Sequence, residues 1–126
     1  MTERFPDIEI YLMKPDPAAV RGWLASALGE LRDQRVLPDH HHWVAECEGK
    51  SVDIFLNEKA EKNFASLWIK QNHTIWNTDL DCARSAHKAL SVEIRCSDSG
   101  WEEADGESDQ GWVKLIRGEE KPFEWS

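Results

Sequence analysis

The chain has 126 residues, of which 40% are apolar and 31% are charged, and its formal net charge is −9. This length and composition predict one soluble globular domain, residues 1–126, and no apolar run reaches the roughly 18 residues that a membrane span needs. The opening residues, MTERFPDIEIYLM, lack the apolar segment of a signal peptide, so we expect a cytoplasmic protein. Nucleic acid is not an expected partner, because no stripe of Lys and Arg is present for phosphate contacts, and a membrane is not expected because no apolar run is long enough.

The negative charge is concentrated in one segment, DSGWEEADGESDQ, residues 98–110, which holds six acids and no base. Without this segment the chain carries 18 acids and 15 bases, so the remainder is nearly balanced. The spacing of the acids does not match a Ca²⁺-binding EF-hand loop, and we therefore expect a solvated acidic loop. Residues 118–126 are predicted to form a C-terminal tail.

Apolar periodicity predicts the first half of the domain in chain order. Alternation over residues 7–13 predicts a strand. A helix should follow, because Asp16 can cap it, Pro17 suits its first position, and apolar residues recur every three or four positions as far as Leu31. Three more strands are predicted over HHHWVAEC, SVDIFLN and FASLWIKQ. The last of these has two apolar faces, which favours a central position in the sheet.

The second half repeats the strand and helix pattern. NTDLDCARSAHKALS predicts a helix with Thr78 as its cap and a face of small apolar residues. VEIRC and GWVKLIRG then predict the last two strands. The predicted order is β-α-β-β-β-α-β-β, which indicates an α+β fold with an antiparallel sheet, two helices on one face and a ferredoxin-like arrangement.

A pair of βαβββ modules, as in the vicinal oxygen chelate proteins, is the alternative architecture. HTIWNTDLDCARSAHKALSVEIRC, residues 73–96, resembles the strand–helix–strand start of such a module. The resemblance covers 24 residues and supplies no ligand assignments.

Three consecutive histidines suggest a metal site. In a strand, His40 and His42 point to one face and His41 to the other, and the first two lie roughly 6.5 Å apart. They could share an ion if His73 or an acid supplied a third ligand, and a small metal-dependent enzyme would then be possible. The competing interpretation is a solvated run of histidines at the start of a strand.

The seven tryptophans are the most unusual feature of the composition. Trp23 fits the apolar stripe of the first helix and is predicted to be core. An aromatic surface for a small organic ligand or a peptide could use some of the others, since indole offers a large contact area and a hydrogen-bond donor. The candidates are Trp43, Trp68, Trp76, Trp101 and Trp112. The competing interpretation is that a small domain uses them to fill its core.

Catalytic motifs are missing from the sequence, which has no GxSxG, HExxH, P-loop or GxGxxG. Cys47, Cys82 and Cys96 are an odd number at wide spacing and are predicted to be reduced thiols. The sequence therefore favours a non-catalytic binding or interaction module. We expect no cofactor, and a small molecule or a protein, including a second copy of the chain, as the partner.

Overall fold

The computed structural model describes residues 6–97 and 112–123, and their strands form a single antiparallel sheet. The strands are β1 (Ile8–Met13), β2 (Leu31–Leu37), β3 (His40–Cys47), β4 (Lys50–Glu61), β5 (Phe64–Ile69), β6 (Ile94–Ser97), β7 (Trp112–Ile116) and β8 (Glu119–Phe123). Their order across the sheet is β2-β3-β4-β5-β1-β6-β7-β8, so β2 and β8 are the edges and β5 is central, as predicted. Two helices, α1 (Pro17–Leu28) and α2 (Asp79–Leu90), complete the described fold.

Local side-chain chemistry explains where α1 begins and ends. The Ala18 N–H donates to Asp16 Oδ1 at 3.1 Å, and Pro17 occupies the first turn, which confirms the predicted start. The helix ends at Leu28 because Gly29 has a φ of 103°, a conformation that other residues rarely adopt. The predicted continuation to Leu31 is wrong, since Leu31 begins β2 and is buried there.

The start of α2 also agrees with the sequence. The Asp81 N–H donates to Thr78 Oγ1 at 3.1 Å, which confirms Thr78 as the cap. Cys82, Ala83 and Ala86 are buried, and their small size lets the helix lie close to the sheet.

The sheet has two more strands than the sequence predicted. β2 lies where a longer α1 was expected, and β8 lies within the expected tail of residues 118–126. β8 forms because Arg117 and Gly118, with φ values of 54° and 79°, reverse the chain in a tight turn after β7. The antiparallel α+β architecture is confirmed. Neither the ferredoxin-like topology nor the paired βαβββ modules is confirmed.

One face of the sheet carries the core, and both helices pack on it. We call this the covered face. Its buried side chains come from alternate positions of the strands, for example Ile8, Ile10 and Leu12 on β1, and they pack with Trp23 and Leu24 of α1. At about 25 cal/mol per Å² of apolar area, this burial is the main source of stability. In the described part of the chain, both helices have only 12 residues, and neither is long and apolar enough to cross a membrane.

Candidate binding surface on the open face of the sheet

The opposite side of the sheet is the open face, which no described helix or strand packs over. It is formed by the residues that alternate with the core positions. Its members include Glu9, Tyr11, His40, His42, Asp53, Phe55, Asn57, Phe64, Ser66, Trp68, Arg95, Trp112 and Lys114. Several are aromatic and only partly buried, whereas an ordinary solvated sheet face alternates to polar residues.

Three rings form a stack across neighbouring strands, and we call it the aromatic row: His42, Phe55 and Trp68. Phe55 is directly opposite His42 on one side and Trp68 on the other. The ring centroids of His42 and Phe55 are 4.3 Å apart, and those of Phe55 and Trp68 are 5.4 Å apart, with interplanar angles of 20° and 27°. These distances are close to the spacing of strands, so the rings stack on one another and direct their edges outward.

Hydrogen bonds fix both ends of the aromatic row. His42 Nε2 lies 2.8 Å from Asp53 Oδ1, and Trp68 Nε1–H donates to Asp7 Oδ2 at 2.9 Å. Gln71 holds Asp53 in turn, because its Nε2 donates to Asp53 Oδ2 at 2.9 Å. The hydrogen bonds from Gln71 and His42 lower the pKa of Asp53. The rings are therefore held in place before any ligand arrives, which reduces the entropy cost of binding.

A second aromatic contact lies nearer to β8. The rings of Tyr11 and Trp112 meet edge to face, with centroids 6.0 Å apart. Burial raises the pKa of Tyr11 to about 12, and the nearby Glu9 carboxylate adds to the effect. The phenol therefore stays protonated, and it donates to Glu9 Oε2 at 3.4 Å.

The five tryptophans predicted to bind a ligand separate into three groups. Trp68 and Trp112 lie on the open face. Trp43 and Trp76 lie in the core, where they are 2% and 5% exposed, so they do not line this surface. Trp101 lies outside the described residues. Trp76 is buried although it is not in a helix or strand, because its ring stacks on Trp23 with centroids 5.3 Å apart.

The three histidines predicted to bind a metal do not form one cluster. His40 and His42 lie on the open face, as alternation predicted. His41 points to the covered face, where its Nε2 lies 2.6 Å from Glu58 Oε2. His73 borders a different cavity together with Cys47, at the far end of β3. His40 and Cys47 are seven residues apart, or roughly 23 Å along the strand.

Among residues 6–97 and 112–123, no group of three or more His, Cys, Asp or Glu side chains is placed to hold a metal ion. The metal site stays a prediction from the sequence. Cys47, Cys82 and Cys96 form no disulfide in the described part of the chain, and burial raises the pKa values of Cys47 and Cys82. Raised thiol pKa values disfavour the thiolate that a nucleophile requires.

Phe55 and Tyr11 belong to this surface but were not among the residues predicted from the sequence. Alternation in SVDIFLN places Phe55 opposite the core positions, and that signal was available. The strand pairing that stacks Phe55 between His42 and Trp68 could not be predicted, because Phe55 is 13 positions away from each of them in the sequence.

The chain matches no protein-family model, no curated protein and no solved structure, so its function must be argued from its own geometry.

Proposed function

We propose that the protein is a non-catalytic binding module and that the aromatic row is the centre of its binding surface. The observation that carries this proposal is the stack of His42, Phe55 and Trp68, held by hydrogen bonds on a face that no described element covers. The three rings are only partly buried, and aromatic side chains that reach the surface as a contiguous group are typical of interaction sites.

The chemistry of the surface favours an organic ligand with a flat apolar body. Ring edges and polar atoms alternate on the open face, since Asp53, Ser66 and Asn57 lie between or beside the aromatic side chains. Such a mixture of apolar contact area and a few fixed polar groups is characteristic of small-molecule sites. A protein partner, including a second copy of the chain, is the competing occupant.

A panel of small aromatic compounds, followed by ligand-observed NMR, tests the proposal. Phe55→Ala opens a gap in the aromatic row and should remove the saturation-transfer signals of compounds that bind the wild-type protein. Ile75→Ala is the matched control, because Ile75 is an exposed apolar residue, 70% exposed, that borders the His73 cavity instead. Both variants should first be shown to fold by circular dichroism.

The outcomes separate the two occupants. Compounds that bind both variants equally would contradict the proposed surface. If no compound binds, sedimentation velocity decides: self-association that Phe55→Ala removes would assign the surface to a second copy. A strict monomer without bound compounds would contradict a binding role for the row.

A further inference from the structure

The aromatic row leads into a pocket at the β2 edge of the open face. Its volume is about 470 Å³, which is within the range of small-molecule sites. We call it the edge pocket and define it by the open-face residues that line it: Arg35, Leu37, His40, His42, Phe55 and Asn57. His42 and Phe55 therefore belong both to the pocket and to the aromatic row.

A β-bulge places Arg35 in this pocket. Asp33 is opposite Trp43 and Arg35 is opposite His42, so Gln34 is an extra residue without a partner in β3. In a regular strand Gln34 would face His42, and Arg35 would point to the covered face. Bulges of this kind re-aim side chains at functional sites.

The bulge also exposes an apolar side chain. It brings Leu37 to the open face opposite His40, and Leu37 is 43% exposed. The irregular strand therefore places a cation and an exposed aliphatic group together at the same pocket.

The ion pairing of β2 distinguishes Arg35 from its neighbours. Arg32 pairs with Glu46 at 3.8 Å, and Asp33 pairs with Arg21 at 3.0 Å. Within the described part of the chain, no carboxylate pairs with Arg35 and none lines the pocket. An arginine is charged at every physiological pH, so Arg35 brings a positive charge to the pocket.

Other polar side chains line the same pocket. His40 is the diagonal neighbour of Arg35 across the strand pair, and the Asn57 amide is opposite His40. Asp53 orients the His42 ring from the neighbouring strand, through the contact at 2.8 Å. Leu37 and Phe55 supply the apolar contact area.

We infer that the edge pocket binds a small organic anion, with its carboxylate or phosphate on Arg35 and its apolar body against Phe55 and Leu37. This inference rests on the proposed function, because the end of the aromatic row forms one wall of the pocket. Arginine suits this role since its planar fork of donors matches a carboxylate or a phosphate.

Calorimetric titration with three probes tests the inference: 2-naphthoate, its neutral analogue 2-naphthamide, and inorganic phosphate. We expect 2-naphthoate to bind most tightly, and Arg35→Gln to weaken it roughly tenfold or more, the effect of losing a charge-assisted hydrogen bond. Arg32→Gln is the matched control, because it removes the same charge from the same strand outside the pocket and should leave the affinity within about twofold.

Each other result overturns the inference in an identifiable way. If 2-naphthoate and 2-naphthamide bind equally and Phe55→Ala abolishes the binding of both, the aromatic row is a binding surface but Arg35 is not an anion site. Equal losses in Arg35→Gln and Arg32→Gln would assign the effect to overall charge. If inorganic phosphate binds as tightly as 2-naphthoate, contacts between an apolar body and Phe55 or Leu37 do not contribute to binding. No binding of any probe would overturn the inference, while the compound panel would still decide the proposed function.

Discussion

The two faces of one sheet are built by the same strands and have opposite chemistry. On the covered face, Ile10, Leu67 and Ile54 are fully buried and make apolar contacts alone. On the open face, His42 and Trp68 are partly buried, and each is held by a carboxylate. Apolar burial therefore stabilises the covered face, whereas hydrogen bonds to carboxylates fix the positions of side chains on the open face.

The largest expected difference between the faces comes from two tryptophans. Trp76→Ala should lower the free energy of unfolding by about 3–5 kcal/mol, because it leaves a cavity beside Trp23 in the core. Trp68→Ala should cost less than half as much, since water can fill the space that its ring leaves on the open face. Urea unfolding of both variants measures the difference, and equal losses would contradict the division into two faces.

Asp79 and Asp53 should make the free energy of unfolding depend on pH with opposite signs. Asp79, at the start of α2, is only 9% exposed, and burial raises its pKa to about 7. The folded state therefore holds the proton more tightly than the unfolded state, so the stability from this group is complete below about pH 4 and is lost as the pH rises through about 7. The loss is at most about 4 kcal/mol.

Asp79→Asn removes this titration. The variant should be more stable than the wild type at pH 8 and similar to it near pH 4, as measured by urea unfolding at both values. The Glu9 N–H, which donates to Asp79 Oδ1 at 3.1 Å, can still donate to the amide oxygen. A variant that is less stable than the wild type at pH 8 would contradict the prediction.

Asp53, on the open face, should show the opposite and smaller effect. Hydrogen bonds from Gln71 and His42 lower its pKa, so its contribution is present above about pH 4 and is lost as the pH falls through its folded pKa. Asp53→Asn should cost about 1 kcal/mol at pH 7, because the side chain is 28% exposed and water screens its contacts. The loss of unfolding free energy in Asp53→Asn should become smaller at acidic pH. A loss that does not change with pH would show that the charge of Asp53 is not its source.

Metal ions should give the smallest effect. Zn²⁺ at low micromolar concentration should raise the melting temperature of the metal-stripped, tag-free protein by less than about 1 °C, because two histidines on one strand hold an ion weakly. His73→Ala should leave even this shift unchanged, since His73 borders a different cavity from His40 and His42. A shift of about 4 °C or more that His42→Ala abolishes would instead restore the metal site.

Local patterns gave much of the fold correctly. The caps Asp16 and Thr78 were predictable because each needs only its own side chain and the next two or three residues. The end of α1 was not predictable in this way, because Leu31 continues the helical spacing of apolar residues although Gly29 leaves the helical conformation. The apolar spacing favours a longer helix and the glycine favours a helix end, and in the fold Leu31 pairs with Ala45 of β3 as part of the edge strand β2.

The candidate site was only partly predictable. Alternation placed His40 and His42 on one face, and the tryptophan excess pointed to Trp68 and Trp112. It also pointed to Trp76, whose burial depends on contact with Trp23, 53 positions earlier in the chain. No local pattern can report a contact of that range.

The sequence by itself determined an antiparallel α+β domain with two capped helices, because periodicity and capping act over a few neighbouring residues. Only the tertiary structure decided that His42, Phe55 and Trp68 stack, and that Arg35 joins them at the edge pocket. Both depend on the register between strands, and a shift of one residue would move every side chain concerned to the other face.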